Sequence, residues 1–213
     1  MKIFLDTAEV NDIARRHEGL ISGVTTNPTL IAKSGRTPHE VYQEIFDLNI
    51  KDLSIEVKGE YFDELLANSL STYQMYGDYC TIKLPCTPDG LKACKHLTDK
   101  RVRVNMTLVF SVEQAILCSL AGATYVSPFI GRLDDIGQCG IALIRDIAEV
   151  FCHNRSNTKI LAASIRHKDI VGLAFSAGAH ICTVPINVFD EMFKHELTDV
   201  GLKQFAIDFG TNL

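Results

Sequence analysis

Lys83 is the residue on which chemistry would turn. It lies in the run Tyr79-Cys80-Thr81-Ile82-Lys83-Leu84-Pro85, where apolar residues flank the ammonium on both sides. A β-strand alternates faces with period two, so Ile82 and Leu84 point one way and Thr81 and Lys83 the other. In a parallel sheet both faces are covered, and a lysine there sits in a protected interior that disfavours its charged form. A neutral amine is what attack on a carbonyl requires, and this is how a Schiff-base lysine is made. The same run also fits a lysine at a strand end whose head reaches water, and this strand alone does not separate the two.

A reactive lysine needs partners, and the polar residues that would serve fall at regular places along the chain. Short β-rich runs cover Lys2–Asp6, Gly23–Thr26, Leu53–Val57, Thr81–Leu84, Val102–Thr107, Tyr125–Phe129, Lys159–Ser164 and His180–Val184. At or just past their C-terminal ends stand Asp6, then Thr25-Thr26-Asn27-Pro28, then Glu56 and Lys83. Asn105 and Thr107, Ser127 and Phe129 with Arg132, and Ser164 with Arg166 follow. The pairs Asn105/Thr107, Ser127/Phe129 and Ser164/Arg166 are each two residues apart and share a face. Their neighbours Val104, Met106, Val126, Pro128, Ala163 and Ile165 suit an apolar, helix-covered side.

The elements that must position these residues read as strand followed by helix, repeated about eight times. Thr87 caps a helix to Leu97 with Pro88 in its first position, and Ser111 caps another to Leu120 with Gly122 beyond its end. A third is expected from about Ile136 to Phe151, with Ile141, Ile144, Ile147 and Ala148 on one face. Eight such units within 213 residues predict an α/β chain folded as one single-domain (β/α)8 TIM barrel over 1–213. A doubly wound sheet is the other candidate, but no Gly-x-Gly-x-x-Gly turn follows the first strand. An extra C-terminal helix, spanning 198–211, carries Leu202, Phe205, Ala206 and Phe209 on one side. With no strand to cover, it would close the barrel bottom or pack on a neighbouring subunit.

In such a barrel the C-terminal strand ends build the active site. Each residue alone has a plainer reading. Asp6 could be a helix cap, 25–28 a turn, Glu56 an edge charge, Asn105 and Thr107 satisfied core polars, and the arginines surface ion pairs. Their coincidence at one end of successive strands argues for a site, because buried charge is costly unless used or paired. The inventory is one amine, two carboxylates, several hydroxyls and amides, and two arginines. It suits carbon–carbon bond chemistry on a phosphorylated sugar. Lysine forms an imine with a ketose, a carboxylate takes a hydroxyl proton, and the arginines grip the phosphate.

Composition narrows the partners. Apolar residues make up 46% and charged residues 22%, and the net charge is -5. That charge offers no field for nucleic acid or an anionic membrane, and no apolar run reaches membrane-spanning length. Met1 through Thr7 reads directly as a strand, without signal-peptide layout. The seven cysteines, Cys80, Cys86, Cys94, Cys118, Cys139, Cys152 and Cys182, lack zinc or redox spacing. They are expected as reduced thiols of a cytoplasmic protein. His17, His39, His96, His153 and His195 are scattered and expected in solvent. No metal and no cofactor are expected.

The motifs Phe4-Leu5-Asp6-Thr7, Gly23-Val24-Thr25-Thr26-Asn27-Pro28, Ile82-Lys83-Leu84-Pro85, Asn105-Met106-Thr107-Leu108, Ser127-Pro128-Phe129-Ile130-Gly131-Arg132 and Ala162-Ala163-Ser164-Ile165-Arg166 together resemble the transaldolase family. The likeness is to its short-chain, fructose-6-phosphate aldolase-like branch and covers essentially the whole length. The resemblance implies that Lys83 is the Schiff-base lysine and Asp6 the general acid/base. It implies that Glu56 and Thr107 hold a catalytic water, and that Thr26, Asn27 and Asn105 belong to the sugar-binding set. Ser127, Arg132, Ser164 and Arg166 would form the phosphate and acceptor pocket. It implies homo-oligomers, pentamer-based rings or decamers, with the C-terminal helix reaching a neighbour. The branch also holds aldolases that release free dihydroxyacetone; these carry glutamine and tyrosine where this chain has Glu56 and Phe129. Transaldolase activity is therefore expected, against that aldolase or a non-catalytic sugar-phosphate-binding barrel.

Overall fold

The computed structural model describes residues 1–16 and 19–210. His17, one of the histidines expected in solvent, and residue 211 of the expected C-terminal helix lie outside the described residues.

Eight parallel strands close a barrel in sequence order, β1 pairing with both β2 and β8. They are β1 Lys2–Asp6, β2 Ile21–Thr25, β3 Leu53–Glu56, β4 Cys80–Pro85, β5 Val104–Val109, β6 Tyr125–Pro128, β7 Lys159–Ala162 and β8 Ile181–Val184. Around them run α1 Val10–Arg16, α2 Pro28–Ser34, α3 Pro38–Asp47, α4 Phe62–Tyr76, α5 Pro88–Asp99 and α6 Val112–Leu120. Then follow α7 Ile130–Asp135, α8 Gly140–His153, α9 Lys168–Ser176, α10 Ile186–Glu191 and α11 Glu196–Asp208. The (β/α)8 expectation is met. Among the described residues no helix is long and apolar enough to cross a membrane.

The strand alternation sets two packing layers. Outward residues such as Leu5, Val24, Leu53, Ile55, Ile82, Leu84, Val104, Met106 and Val126 are buried against the helices. Each stabilises by about 1.5–3 kcal/mol on leaving water. Inside the barrel a smaller apolar cluster, Phe4, Tyr125, Leu161, Ala163 and Ile181, occupies the side built by β6, β7, β8 and β1. Gly23 makes room for it: a Cβ there would lie 2.6 Å from the Phe4 ring. The interior facing β3, β4 and β5 is instead polar, with Ser54, Thr81, Lys83, Asn105 and Thr107 all buried.

The helix caps follow the sequence. Thr87 Oγ1 accepts from Gly90 N at 3.1 Å, and Ser111 Oγ from Gln114 N at 3.2 Å. The helix expected from Ile136 is corrected: it begins at Gly140, and Ile136 is exposed. Gly137 takes φ +75° and Asp134 Oδ1 accepts from Gly140 N at 3.0 Å, which turns the chain between α7 and α8. Close packing also requires Gly140, since a Cβ there would meet Ile130 Cα at 2.6 Å. The cysteines are free. Burial pushes the thiols of Cys80, Cys94 and Cys182 up to about 12, so they behave as small apolar residues.

Candidate active site

β4 carries Lys83 into the interior in register with Glu56 on β3 and Asn105 on β5. Only 6% of Lys83 is exposed. Its Nζ donates to the Thr26 carbonyl at 3.1 Å and meets Glu56 Oε2 at 3.0 Å. Thr107 follows two residues past Asn105 on the same face of β5. Its Oγ1 is the one buried side-chain N or O atom among the described residues with no hydrogen-bond partner. Such an atom costs free energy in a finished core and is what a site for water or a substrate hydroxyl leaves behind.

Asp6, at the end of β1, is held by Thr25 Oγ1, which donates to its Oδ1 at 2.7 Å. Burial raises the Asp6 carboxyl above its ordinary value; the Lys83 charge and the Thr25 hydrogen bond pull it back only in part. The carboxyl lines the central cavity. Asn27 caps α2 through Oδ1, which accepts from Leu30 N at 3.0 Å. Its amide nitrogen is left to donate. Asn105 is fixed at both ends: Ser127 Oγ donates to its Oδ1 at 2.6 Å, and its Nδ2 donates to Ser54 Oγ at 3.3 Å.

The rim is built by strained backbone. Leu108 and Ser164 take φ +58° and +59°, a left-handed conformation uncommon for non-glycine residues that clusters at functional sites. The Ser164 carbonyl accepts from Gly131 N at 3.0 Å, and a Cβ on residue 131 would lie 2.4 Å from that oxygen. Gly131 is therefore required where β6 turns over β7. Phe129 packs edge-on to Phe110, and the Arg132 guanidinium lies 5.1 Å from the Phe129 ring centre.

One cavity of about 150 Å³ is lined by Asp6, Asn27, Lys83, Asn105, Thr107, Ser127, Phe129, Arg132 and Ser164. Glu56 lines the adjoining cleft of about 410 Å³, together with Lys83 and Thr107. Two expected residues stand apart. Thr26 is fully buried, its hydroxyl donates to Ser54 O at 3.0 Å, and it is its carbonyl that meets the lysine. Arg166 pairs with Asp135 over a neighbouring pocket behind Ser164. Thr25, one of the polar residues at the strand ends, also lines the cavity, as do Leu161, Ala163 and Thr183, which were not expected there; Ala163 was read as facing the helices, and the left-handed Ser164 that follows it breaks the alternation. Period-two alternation was the available signal for Thr25, which shares a face with Asn27 where Thr26 does not. A larger cleft of about 980 Å³ lies at the other end of the barrel, beside Met1, Ile3 and Leu20. Its lining is mostly apolar, so size is not what marks the reactive site. Among the described residues, no group of three or more His, Cys, Asp or Glu could hold a metal ion.

A family model described as Transaldolase/Fructose-6-phosphate aldolase matches residues 3–211. The chain belongs to that family. It is 49% identical over 210 residues to a probable transaldolase of Symbiobacterium thermophilum, covering 98% of this chain and 97% of that protein. It is 47% identical to probable transaldolase 1 of Listeria monocytogenes over 98% of each chain. Against a probable transaldolase of Nitrosopumilus maritimus it is 46% identical, over 98% of this chain and 95% of the relative. Membership makes it an enzyme of the transaldolase/aldolase kind. A thiamine phosphate pyrophosphorylase structure from Pyrococcus furiosus superposes with TM-score 0.56 at 16% identity, covering 86% of this chain and 85% of that one. That likeness shows the barrel fold alone.

Proposed function

We propose that this family member is a transferase, a transaldolase that works through a Schiff base on Lys83. The observation that carries the reading is the Lys83 amine, buried and 3.0 Å from Glu56, in one cavity with Asp6 and the unpartnered Thr107 hydroxyl. Glu56 accepts a proton from the ammonium, and the free amine adds to the carbonyl of a ketose phosphate. The carbinolamine loses water to give the imine, with Glu56 and Thr107 holding that water. Asp6 then takes the proton of the hydroxyl on the carbon beyond the scissile bond. The bond breaks, an aldose phosphate leaves, and an enamine remains on Lys83. Addition of a second aldose phosphate, with Asp6 returning the proton, and hydrolysis of the new imine complete the transfer.

Asn27 and Asn105 donate to the hydroxyls of the bound three-carbon unit. Arg132, with Ser164, binds the phosphate, while Ser127, expected in the same pocket, spends its hydrogen on holding Asn105. Arg166 reaches that phosphate only by exchanging Asp135 for it, so its share is indirect. The substrates of this reading are sedoheptulose 7-phosphate or fructose 6-phosphate as donor, and erythrose 4-phosphate or glyceraldehyde 3-phosphate as acceptor, in the non-oxidative pentose phosphate pathway. Phe129 supports transfer over release: a phenyl ring beside the enamine donates no proton, so the enamine waits for an aldehyde. The homo-oligomer belongs to the same proposal. α11 exposes Leu197, Val200, Leu202 and Phe205, with Phe209 just past its end, and buries only Ala206, a face that a neighbouring subunit would cover.

The test is product analysis with fructose 6-phosphate, with and without erythrose 4-phosphate. Sedoheptulose 7-phosphate formed only with the acceptor is the expected result. Sustained free dihydroxyacetone without acceptor would make the enzyme an aldolase, and no turnover with no borohydride-trapped adduct on Lys83 would leave a binding barrel.

A further inference from the structure

We propose that Thr183, on β8, is a positioning residue for Asp6 that acts through the hydroxyl of Thr25. The inference rests on the reading of Asp6 as the acid/base of bond cleavage. Register brings the three together: Asp6 pairs with Thr25 on one side of β1, and Phe4 pairs with Thr183 on the other. Both threonines point inward and are at most 4% exposed. Their hydroxyl oxygens lie 2.6 Å apart, and Thr25 Oγ1 lies 2.7 Å from Asp6 Oδ1.

Hydrogen counting fixes the direction of this chain. An ionised carboxylate only accepts, and a threonine hydroxyl has one hydrogen. The hydrogen of Thr25 therefore goes to Asp6. The 2.6 Å contact can then only be Thr183 donating to Thr25. Two donors act in series on one carboxylate oxygen. A hydroxyl that accepts a hydrogen bond becomes a stronger donor, so Thr183 strengthens the hold on the Oδ1 side. The other carboxylate oxygen is left to take the substrate proton. Hydrogen bonding to the charged form also counters the burial that raises the Asp6 carboxyl. A valine at 183 keeps the shape and removes only the donor.

The experiment compares Thr183→Val, Thr183→Ser and Asp6→Asn on turnover of fructose 6-phosphate with erythrose 4-phosphate as acceptor, across pH. In Thr183→Val, kcat falls by about fivefold, the size of one lost hydrogen bond. KM for the donor stays unchanged, and the acid limb of the kcat profile moves to higher pH. Thr183→Ser restores both. In a Thr25→Val background, Thr183→Val has no further effect, because the chain is already cut. A wild-type kcat and acid limb in Thr183→Val, or the full Thr183→Val effect persisting in the Thr25→Val background, overturns the proposal. If Thr183→Val folds poorly, Thr183→Ser and the Thr25→Val background carry the decision: a displaced acid limb in Thr183→Ser, or an unshifted limb in Thr25→Val, overturns it. Cleavage retained by Asp6→Asn would instead remove the acid/base reading itself. An inactive Asp6→Asn beside an unaffected Thr183→Val removes the Thr183 assignment alone.

Discussion

The barrel holds a partly buried ion pair at each end, and β3 takes part in both. At the N-terminal end, Asp52 before β3 meets Arg103 before β5 at 2.7 Å; at the C-terminal end, Glu56 of β3 meets Lys83 of β4 at 3.0 Å. The faces correspond: Asp52, Ser54 and Glu56; Thr81 and Lys83; Arg103, Asn105 and Thr107. What differs is completion. Asp52 also accepts from Thr81 Oγ1 at 2.8 Å and from Tyr125 Oη at 2.6 Å, and Arg103 donates to Asp78 O at 2.6 Å. Both pairs border a cleft, the lower one of about 470 Å³, but only the upper pair stands beside a buried hydroxyl that bonds to nothing among the described residues. A pair whose buried neighbours are all hydrogen-bonded fixes structure, while one beside an unpartnered hydroxyl is held ready for a ligand.

Breaking the upper pair at its cation should give the largest effect. Lys83→Met is expected to lose activity by roughly 10⁴-fold or more, because no other amine replaces the nucleophile. Mass spectrometry after borohydride with fructose 6-phosphate should show the adduct in the wild type and none in the variant, while thermal unfolding stays cooperative. Breaking the lower pair should do the reverse. Asp52→Ala takes the acceptor from Thr81, Tyr125 and the partly exposed Arg103, and is expected to cost about 2–3 kcal/mol in urea unfolding, chiefly through the two buried hydroxyls. Rates of the remaining folded fraction should be preserved. Equal losses of kcat in both variants would erase the distinction between the ends.

Glu56→Gln sharpens the comparison within the upper pair. The amide keeps the shape and gives up the proton acceptor, so kcat is expected to fall about 10²-fold with stability little changed. The nearby Asp6 adds a pH-dependent cost of function. Burial holds its carboxyl above the ordinary 3.8, so the folded state binds that proton more tightly than the unfolded one. Its contribution therefore favours folding below 3.8 and is lost as pH rises through the folded value. Asp6→Asn should be inactive yet more stable than wild type at neutral pH, with the gain vanishing below pH 3.8. A wild type as stable as Asp6→Asn at pH 7 would refute this.

The upper end was legible in the sequence because its residues break pattern: Asp6, Lys83, Asn105 and Ser164 are polar at the ends of apolar runs. The lower end was not. Asp52 and Arg103 stand just before their strands, where charges ordinarily read as solvated loop, and only closure of the barrel brings them 2.7 Å apart. Thr183 escaped because a single hydroxyl next to a strand end is common, and its meaning depends on two neighbouring strands. The α7–α8 break was hidden by an apolar period that runs through it; the turn is made by Gly137 and the Asp134 cap, and the close approach of Gly140 to Ile130 holds it in place.

The smallest effects give the cleanest contrast, because one hydroxyl can be removed from each end. Tyr125→Phe takes one of three donors from Asp52. Net loss of one hydrogen bond predicts about 1 kcal/mol in urea unfolding, with kcat unchanged because Asp52 keeps Thr81 and Arg103. Thr107→Val removes a hydroxyl that has no partner to lose. Replacing an unsatisfied buried oxygen with a methyl group of like volume should leave stability equal or higher, while kcat falls by about tenfold if that oxygen holds the water of imine formation. Stability lost without rate at Tyr125, and rate lost without stability at Thr107, is the expected crossing. Parallel behaviour of the two variants would mean that the Thr107 hydroxyl is a packing defect rather than part of the reaction.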